Sequence, residues 1–181
     1  VHYVDTAVGL MVDTLKTNGM WDDTLVVFYG DHDNGLTAPG DEMAEKEGAM
    51  SVTDVFTLDR AVPLYIKPAG LARGEVMQAS GGQLDFAPTI LELLGMTPGY
   101  MLGSSLLDDE PNLTVFRNGS FRYDDVYFDP DLTKPFGAGT CYAIDSGDAL
   151  PFDACAPYID EAADQLRLSD TIVEKDALSA L

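Results

Sequence analysis

Asp31 and His32 are the residues whose types and placement most directly suggest chemistry, because they follow Gly30 at the end of the apolar run Leu25-Val26-Val27-Phe28-Tyr29. Ligand-binding groups of open α/β sheets gather just past the carboxyl ends of strands. A hard carboxylate beside a neutral imidazole suits Zn²⁺ or Mn²⁺, which accept mixed oxygen and nitrogen ligands. Neighbouring side chains on a strand point to opposite faces, so the two groups converge only if the chain bends past the strand end, which Gly30 permits. A solvated turn whose polar residues simply leave the core explains the same pair. Asp33, next in line, has two readings as well: contact with a metal or with the groups that hold it, or a solvated turn.

Other candidates are better explained structurally. His2 lies ahead of an amphipathic helical pattern and reads as a surface residue, and Asp5 and Asp85 read as helix-start or capping carboxylates. Thr37 is the hydroxyl one would consider as a nucleophile, and it is rejected. Arg117 could pair with phosphate, yet an exposed or ion-paired arginine needs no ligand, and hairpin geometry accounts for Asn118. Asn112-Leu113-Thr114 and Asn118-Gly119-Ser120 fit the glycosylation acceptor pattern, but such triplets arise often by chance. Cys141 and Cys155 are the only cysteines and bracket a segment rich in Gly, Asp and Pro, which is expected to lack a core of its own. A bridge there would close a loop of about 15 residues, worth roughly 3 kcal/mol by the chain-entropy estimate. It would require an oxidising compartment outside the cytoplasm. Two free thiols are the alternative.

The elements that must position these residues read as α/β. Tyr3, Val4, Ala7, Val8, Met11, Val12 and Leu15 have the three-and-four spacing of an amphipathic helix over 4–17, which Gly19 ends. Leu25 to Tyr29, and Val62 to Ile66 within the run Ala61 to Lys67, lack alternation and are expected to be buried parallel strands, with Pro63 at a strand start or edge. Residues 36–58 read as a surface excursion with a short helix near Glu42 to Glu47. Asp85 is expected to cap a helix over Phe86 to Leu94, with Pro88 in its first turn and Gly95 as its stop. Asn118-Gly119, between Val115-Phe116 and Phe121, predicts a β-hairpin, both turn residues tolerating positive φ. Tyr123 to Phe128 is expected to continue the second strand, and a helix from Pro157 to about Leu178 closes the chain.

Composition bounds the partners. With 31 acidic against 10 basic side chains the formal net charge is −21, which sets the chain against nucleic acid and anionic membranes, both polyanions. The same acidity suits solubility or a high-cation habitat. No stretch reaches the roughly 18 apolar residues that span a bilayer, and no signal-like start is present. The chain opens at Val1 and enters a helical pattern almost at once, so it is expected to be part of a longer polypeptide whose export signal or anchor lies upstream.

Several segments, in order along the chain, resemble one superfamily. Tyr3-Val4-Asp5, Gly9, Leu15-Lys16, Gly19, Asp23-Thr24 and Val26-Val27-Phe28-Tyr29-Gly30-Asp31-His32 look like the helix, strand and metal segment of the alkaline phosphatase and sulfatase superfamily, lipoteichoic acid synthase branch. Gln83-Leu84-Asp85-Phe86-Ala87-Pro88-Thr89-Ile90-Leu91 with Leu94-Gly95 is similar to a downstream helix of that superfamily. Phe116-Arg117-Asn118-Gly119-Ser120-Phe121 resembles a segment of its lipoteichoic acid synthase branch. The resemblance covers residues 1–130, and nothing is recognised from Asp131 onward.

The resemblance implies the carboxyl-terminal part of an alkaline phosphatase-like sheet flanked by helices, with a β-hairpin, in residues 1–130, followed by a family-unassigned tail with the cysteine loop and the terminal helix in 131–181. It implies that Asp31 and His32 hold one divalent ion, Mn²⁺ before Zn²⁺, Mg²⁺ or Ca²⁺, weakly in this chain alone. The implied parent is an extracytoplasmic phosphoglycerol transferase or sulfatase-like hydrolase, membrane-anchored or free, acting on phosphodiester, glycerophospholipid, polymer or sulfate ester substrates. Its nucleophile and remaining metal ligand have no counterpart here. The chain alone is therefore expected to be inactive, with no catalytic residue of its own, and to pair with the rest of the polypeptide or with itself. The alternative is a non-catalytic extracellular binding or structural module that keeps the fold.

Overall fold

The computed structural model describes residues 2–32, 53, 60–97 and 99–177. The chain divides into two compact units, Val1–Asn34 with Arg60–Met77, and Gly35–Asp59 with Gln78–Leu181.

In the first unit, helix α1 spans His2–Thr17. Gly19 terminates it at φ 67°. There the Met20 N–H donates to Leu15 O at 2.9 Å and the Gly19 N–H to Lys16 O at 3.1 Å, the paired bonds by which a left-handed glycine closes a helix. The predicted apolar stripe exists, but α1 buries none of its residues. Strand β1, Val26–Tyr29, follows, and β2, Leu64–Lys67, pairs with it.

The pairing corrects the expectation of buried parallel strands. β1 and β2 run antiparallel, Val26 opposite Lys67 and Tyr29 opposite Leu64, and of their residues only Val26 is buried. An unbroken apolar run records affinity for burial, which either strand direction satisfies, and antiparallel pairing is the slightly more stable ladder. Pro63 lies just before β2, where its missing donor costs nothing, and its carbonyl accepts the Gly30 N–H at 3.0 Å. Lys67 fixes the approach to β1: its ammonium donates to the carbonyls of Trp21 and Thr24 and lies 4.7 Å from the Trp21 ring centroid, a cation–π contact.

The second unit holds a 3-10 turn Gln83–Asp85, helix α2 at Phe86–Leu93, and strands β3 Thr114–Val115, β4 Phe121–Tyr123, β5 Val126–Pro130, β6 Gly139–Ala143 and β7 Ala149–Leu150. A second 3-10 turn, Phe152–Ala154, leads to α3, Ala156–Lys175. The five strands form one antiparallel sheet in sequence order. The β3–β4 hairpin forms where expected, but its turn differs. Only Gly119 takes positive φ, 87°, with Phe116 N–H donating to Ser120 O and Gly119 N–H to Phe116 O, each at 2.8 Å. That is the longer hairpin loop in which glycine relieves a bulge. Tyr123 to Phe128 does not continue one strand, because Asp124 adopts φ 51° and turns the chain back into β5.

The core of this unit is Phe121, Phe128, Cys141, Cys155 and Ala162, with Val115, Leu150 and Ile159 among the half-buried residues packed on it. Phe121 faces Phe128 across the ladder, their rings stacked with centroids 5.0 Å apart. Cys141 and Cys155 form a disulfide. Their segment is not coreless, as the sequence suggested, since both cysteines lie at the centre of the core and join β6 to the start of α3. Thr53, within the expected surface excursion, is fully buried and donates to Ile144 O at 2.9 Å. The helix expected near Glu42 to Glu47 lies outside the described residues.

Candidate metal-holding pair

β1 carries the chain to Gly30, whose N–H still belongs to the ladder through Pro63 O. A Cβ at Gly30 would sit 3.0 Å from Val62 Cβ and 3.2 Å from Pro63 Cδ. Glycine is thus suited to this position by the close approach of the neighbouring segment, and the bend falls on Asp31 and His32.

His32 Nε2 and Asp31 Oδ1 are 3.7 Å apart, and the side chains are 75% and 85% exposed respectively. Two ligand atoms each about 2.1 Å from a tetrahedral ion stand roughly 3.4 Å apart. The pair therefore fits two adjacent positions of one coordination sphere after a small side-chain adjustment. One carboxylate and one imidazole also suit the mixed donor preference of Mn²⁺ or Zn²⁺. Among the described residues no group of three or more His, Cys, Asp or Glu side chains could hold an ion. The fit is to part of a site.

Asp33 and Thr37 lie outside the described residues. His2 and Asp5 sit exposed in the first turn of α1, consistent with their structural reading. Arg117 donates to both carboxylate oxygens of Asp170, at 2.6 and 3.2 Å. That hydrogen-bonded charge raises its pKa above the ordinary guanidinium value. Asn118 Oδ1 accepts from the Ser120 N–H and hydroxyl at 3.1 and 2.7 Å, so both residues have structural duties at the hairpin.

Asp85 has a wider role than the capping expected of it. It makes no side-chain bond to α2's own amides. Instead Oδ2 accepts the Gly82 N–H at 2.7 Å and Oδ1 the Ser104 N–H at 2.9 Å. Its carbonyl accepts Thr89 Oγ1–H, and that oxygen accepts the Leu106 N–H at 2.8 Å. The capping signal was visible in sequence, but Ser104 is too distant along the chain to have been named as a partner.

The family model for sulfatases matches residues 1–96, the stretch containing α1, β1, the Asp31–His32 pair, β2 and α2. The chain belongs to the sulfatase family. It is similar to "Lipoteichoic acid synthase-like YvgJ" of Bacillus subtilis, 37% identical over 98% of this chain and 29% of the relative. Lipoteichoic acid synthase 2 of the same organism is 33% identical over 98% of this chain and 27% of the relative. Lipoteichoic acid synthase of Staphylococcus saprophyticus is 36% identical over 70% of this chain and 20% of the relative. The chain thus spans less than a third of the length of these relatives. The Bacillus similarities also run past Asp131, where no resemblance was recognised from sequence.

Proposed function

We propose that this chain supplies the Asp31–His32 arm of a divalent metal site in an extracytoplasmic phosphoglycerol transferase or sulfatase-like hydrolase, and that it is inactive alone. The observation that carries this reading is the 3.7 Å pairing of a carboxylate and an imidazole, just past the last ladder bond of β1, in a sulfatase-family chain. Similarity to proteins named lipoteichoic acid synthases favours the transferase, with a glycerophospholipid or its polymer as substrate. The Cys141–Cys155 bond supports a compartment outside the cytoplasm.

When bound, the ion, Mn²⁺ by first preference, would polarise a phosphoryl or sulfuryl oxygen and lower the pKa of a nucleophile. Asp31 contributes negative charge and an oxygen donor. His32 donates a ring lone pair, so its neutral form is the one that binds. The nucleophile and remaining ligands are proposed to come from the rest of the polypeptide or a second copy.

The test has two parts. Calorimetric titration of the isolated chain with Mn²⁺ should show weak binding, lost in Asp31→Ala and His32→Ala, and no cleavage of a chromogenic phosphodiester or sulfate ester. The same substitutions in the intact parent should abolish turnover. An intact parent unaffected by His32→Ala would remove the catalytic assignment and leave a non-catalytic module.

A further inference from the structure

We propose that Val62 and Pro63 are positioning residues for the Asp31–His32 pair, a rigid stop against which the end of β1 is set. The inference rests on the metal reading above and extends it to residues that do not themselves supply a ligand. The residue pairs of the β1–β2 ladder end at Tyr29 and Leu64, short of Asp31 and His32. The order of the ladder reaches the pair through Gly30, which is held in two ways. Its N–H donates to Pro63 O at 3.0 Å, one residue beyond the last pair. It also lies so close to the facing segment that a Cβ there would meet Val62 Cβ at 3.0 Å and both Val62 Cγ1 and Pro63 Cδ at 3.2 Å.

These neighbours do not yield easily. Val62 Cβ moves only with its own backbone, its β-branched side chain is stiff at χ1, and Pro63 Cδ belongs to a ring that locks φ. Gly30 is not among the glycines at positive φ, so backbone conformation does not require glycine here. The space does. A Cβ at 3.0 Å makes its neighbour give by a few tenths of an ångström, whereas metal–ligand distances hold to about 0.2 Å. A displacement too small to unpair the strands is therefore large enough to move the pair off a shared ion.

The other end of the ribbon is anchored separately. Lys67 donates to the carbonyls of Trp21 and Thr24, and the Gly70 N–H donates to Asp22 O at 2.6 Å. Those contacts oppose a slip of register, which would turn every side chain to the other face, and a two-stranded ribbon is marginal without such support. They hold the ladder together, while Val62 and Pro63 set where the chain leaves it.

Nuclear magnetic resonance of the full chain tests this division, with Mn²⁺ alone as the probe and a first arm that needs no metal. In the metal-free protein, nuclear Overhauser contacts between the His32 ring and the Asp31 β-protons should be present in the wild type. Gly30→Ala should lose them while keeping the cross-strand contact of Val27 with Ile66. On titration, the Mn²⁺ concentration that half-broadens the His32 ring signals should rise about tenfold in that variant, the lower end of the usual cost of losing a group that supports a metal ligand. Val62→Gly added to Gly30→Ala removes two of the three obstructing atoms and should recover most of that loss. Val62→Ala alone trims Cγ1 and should shift both readouts in the same direction by less, which carries the test if Gly30→Ala unpairs the strands. Lys67→Met should lower thermal stability and leave the His32 midpoint of the folded protein unchanged. Unchanged ring contacts and midpoint in the Gly30→Ala or Val62→Ala variant with the ladder intact, no recovery in the double variant, or an equal shift in Lys67→Met would overturn the proposal. Absence of His32 broadening in the wild type would remove the metal reading instead, and the metal-free arm would still decide the positioning.

Discussion

Arg117, in the turn between β3 and β4, grips Asp170 on α3 with both guanidinium nitrogens, 2.6 and 3.2 Å from the two carboxylate oxygens. The pair ties the hairpin tip to the terminal helix from outside, while the core holds them from within. Both side chains are substantially exposed, so solvent and salt screen the attraction. Arg117→Ala and Asp170→Ala should each lower the melting temperature by roughly 1–3 °C. Removing both should cost about as much as either alone. A fully additive double variant in a thermal-unfolding cycle would show that the two groups stabilise the unit independently.

The disulfide has a deeper position. Cys141 and Cys155 are 1% and 0% exposed, so replacing both with serine removes the cross-link and places two hydroxyls in an apolar core. Loop closure accounts for about 3 kcal/mol, and an unsatisfied buried hydroxyl adds about 1–3 kcal/mol. Denaturant unfolding of the double serine variant should register a loss within or above that range. Non-reducing peptide mapping should recover the two cysteines in one cross-linked species; recovery as free thiols under oxidising conditions would contradict the bond.

Asp85 offers a contrast, a buried carboxylate whose partners are backbone amides. Asp85→Ala would leave the Gly82 and Ser104 N–H groups without their acceptor, a loss of about 2–4 kcal/mol when two donors are involved. Asp85→Asn keeps one acceptor oxygen and should lose less. The same ranking should appear in hydrogen exchange, with the Ser104 and Leu106 amides exchanging faster in the alanine variant. Equal stability of all three proteins would mean that water replaces the carboxylate without penalty.

Local signals in the sequence located the elements better than their partners. The apolar stripe and Gly19 placed α1, and Asn118-Gly119 placed the hairpin, because backbone conformation at those points depends on near neighbours. The direction of β1 against β2 was not legible, since Leu25 to Tyr29 is equally apolar in either orientation. β6 and β7 were hidden in a Gly- and Asp-rich segment, because their burial comes from Phe128 and α3 rather than from their own composition. The chemistry of Asp31 and His32 could be read from residue type and position, and their proximity follows from a bend one residue after Gly30.

Asp131 provides a pH-dependent measurement within the β5–β6 loop. Its Oδ1 accepts from the Thr133 hydroxyl at 2.6 Å and the Thr133 N–H at 3.1 Å, and Lys134 Nζ lies 2.7 Å from Oδ2. The ammonium bond, followed by those from Thr133, holds the carboxyl at a pKa of about 2. A folded-state pKa below the unfolded value of about 3.9 means that the ionised form favours the fold. Its stabilising contribution is therefore complete above the unfolded value and disappears as pH falls from about 4 through about 2. Carbon-detected titration of the Asp131 carboxyl should give a midpoint near the lower of these values, and Lys134→Ala should move it upward because the largest cause is gone. Asp131→Asn should flatten the stability profile across that acid window while leaving neutral pH behaviour of the other carboxylates unchanged. A wild-type midpoint in the ordinary aspartate range, or one indifferent to Lys134→Ala, would show that solvent separates the loop's charges.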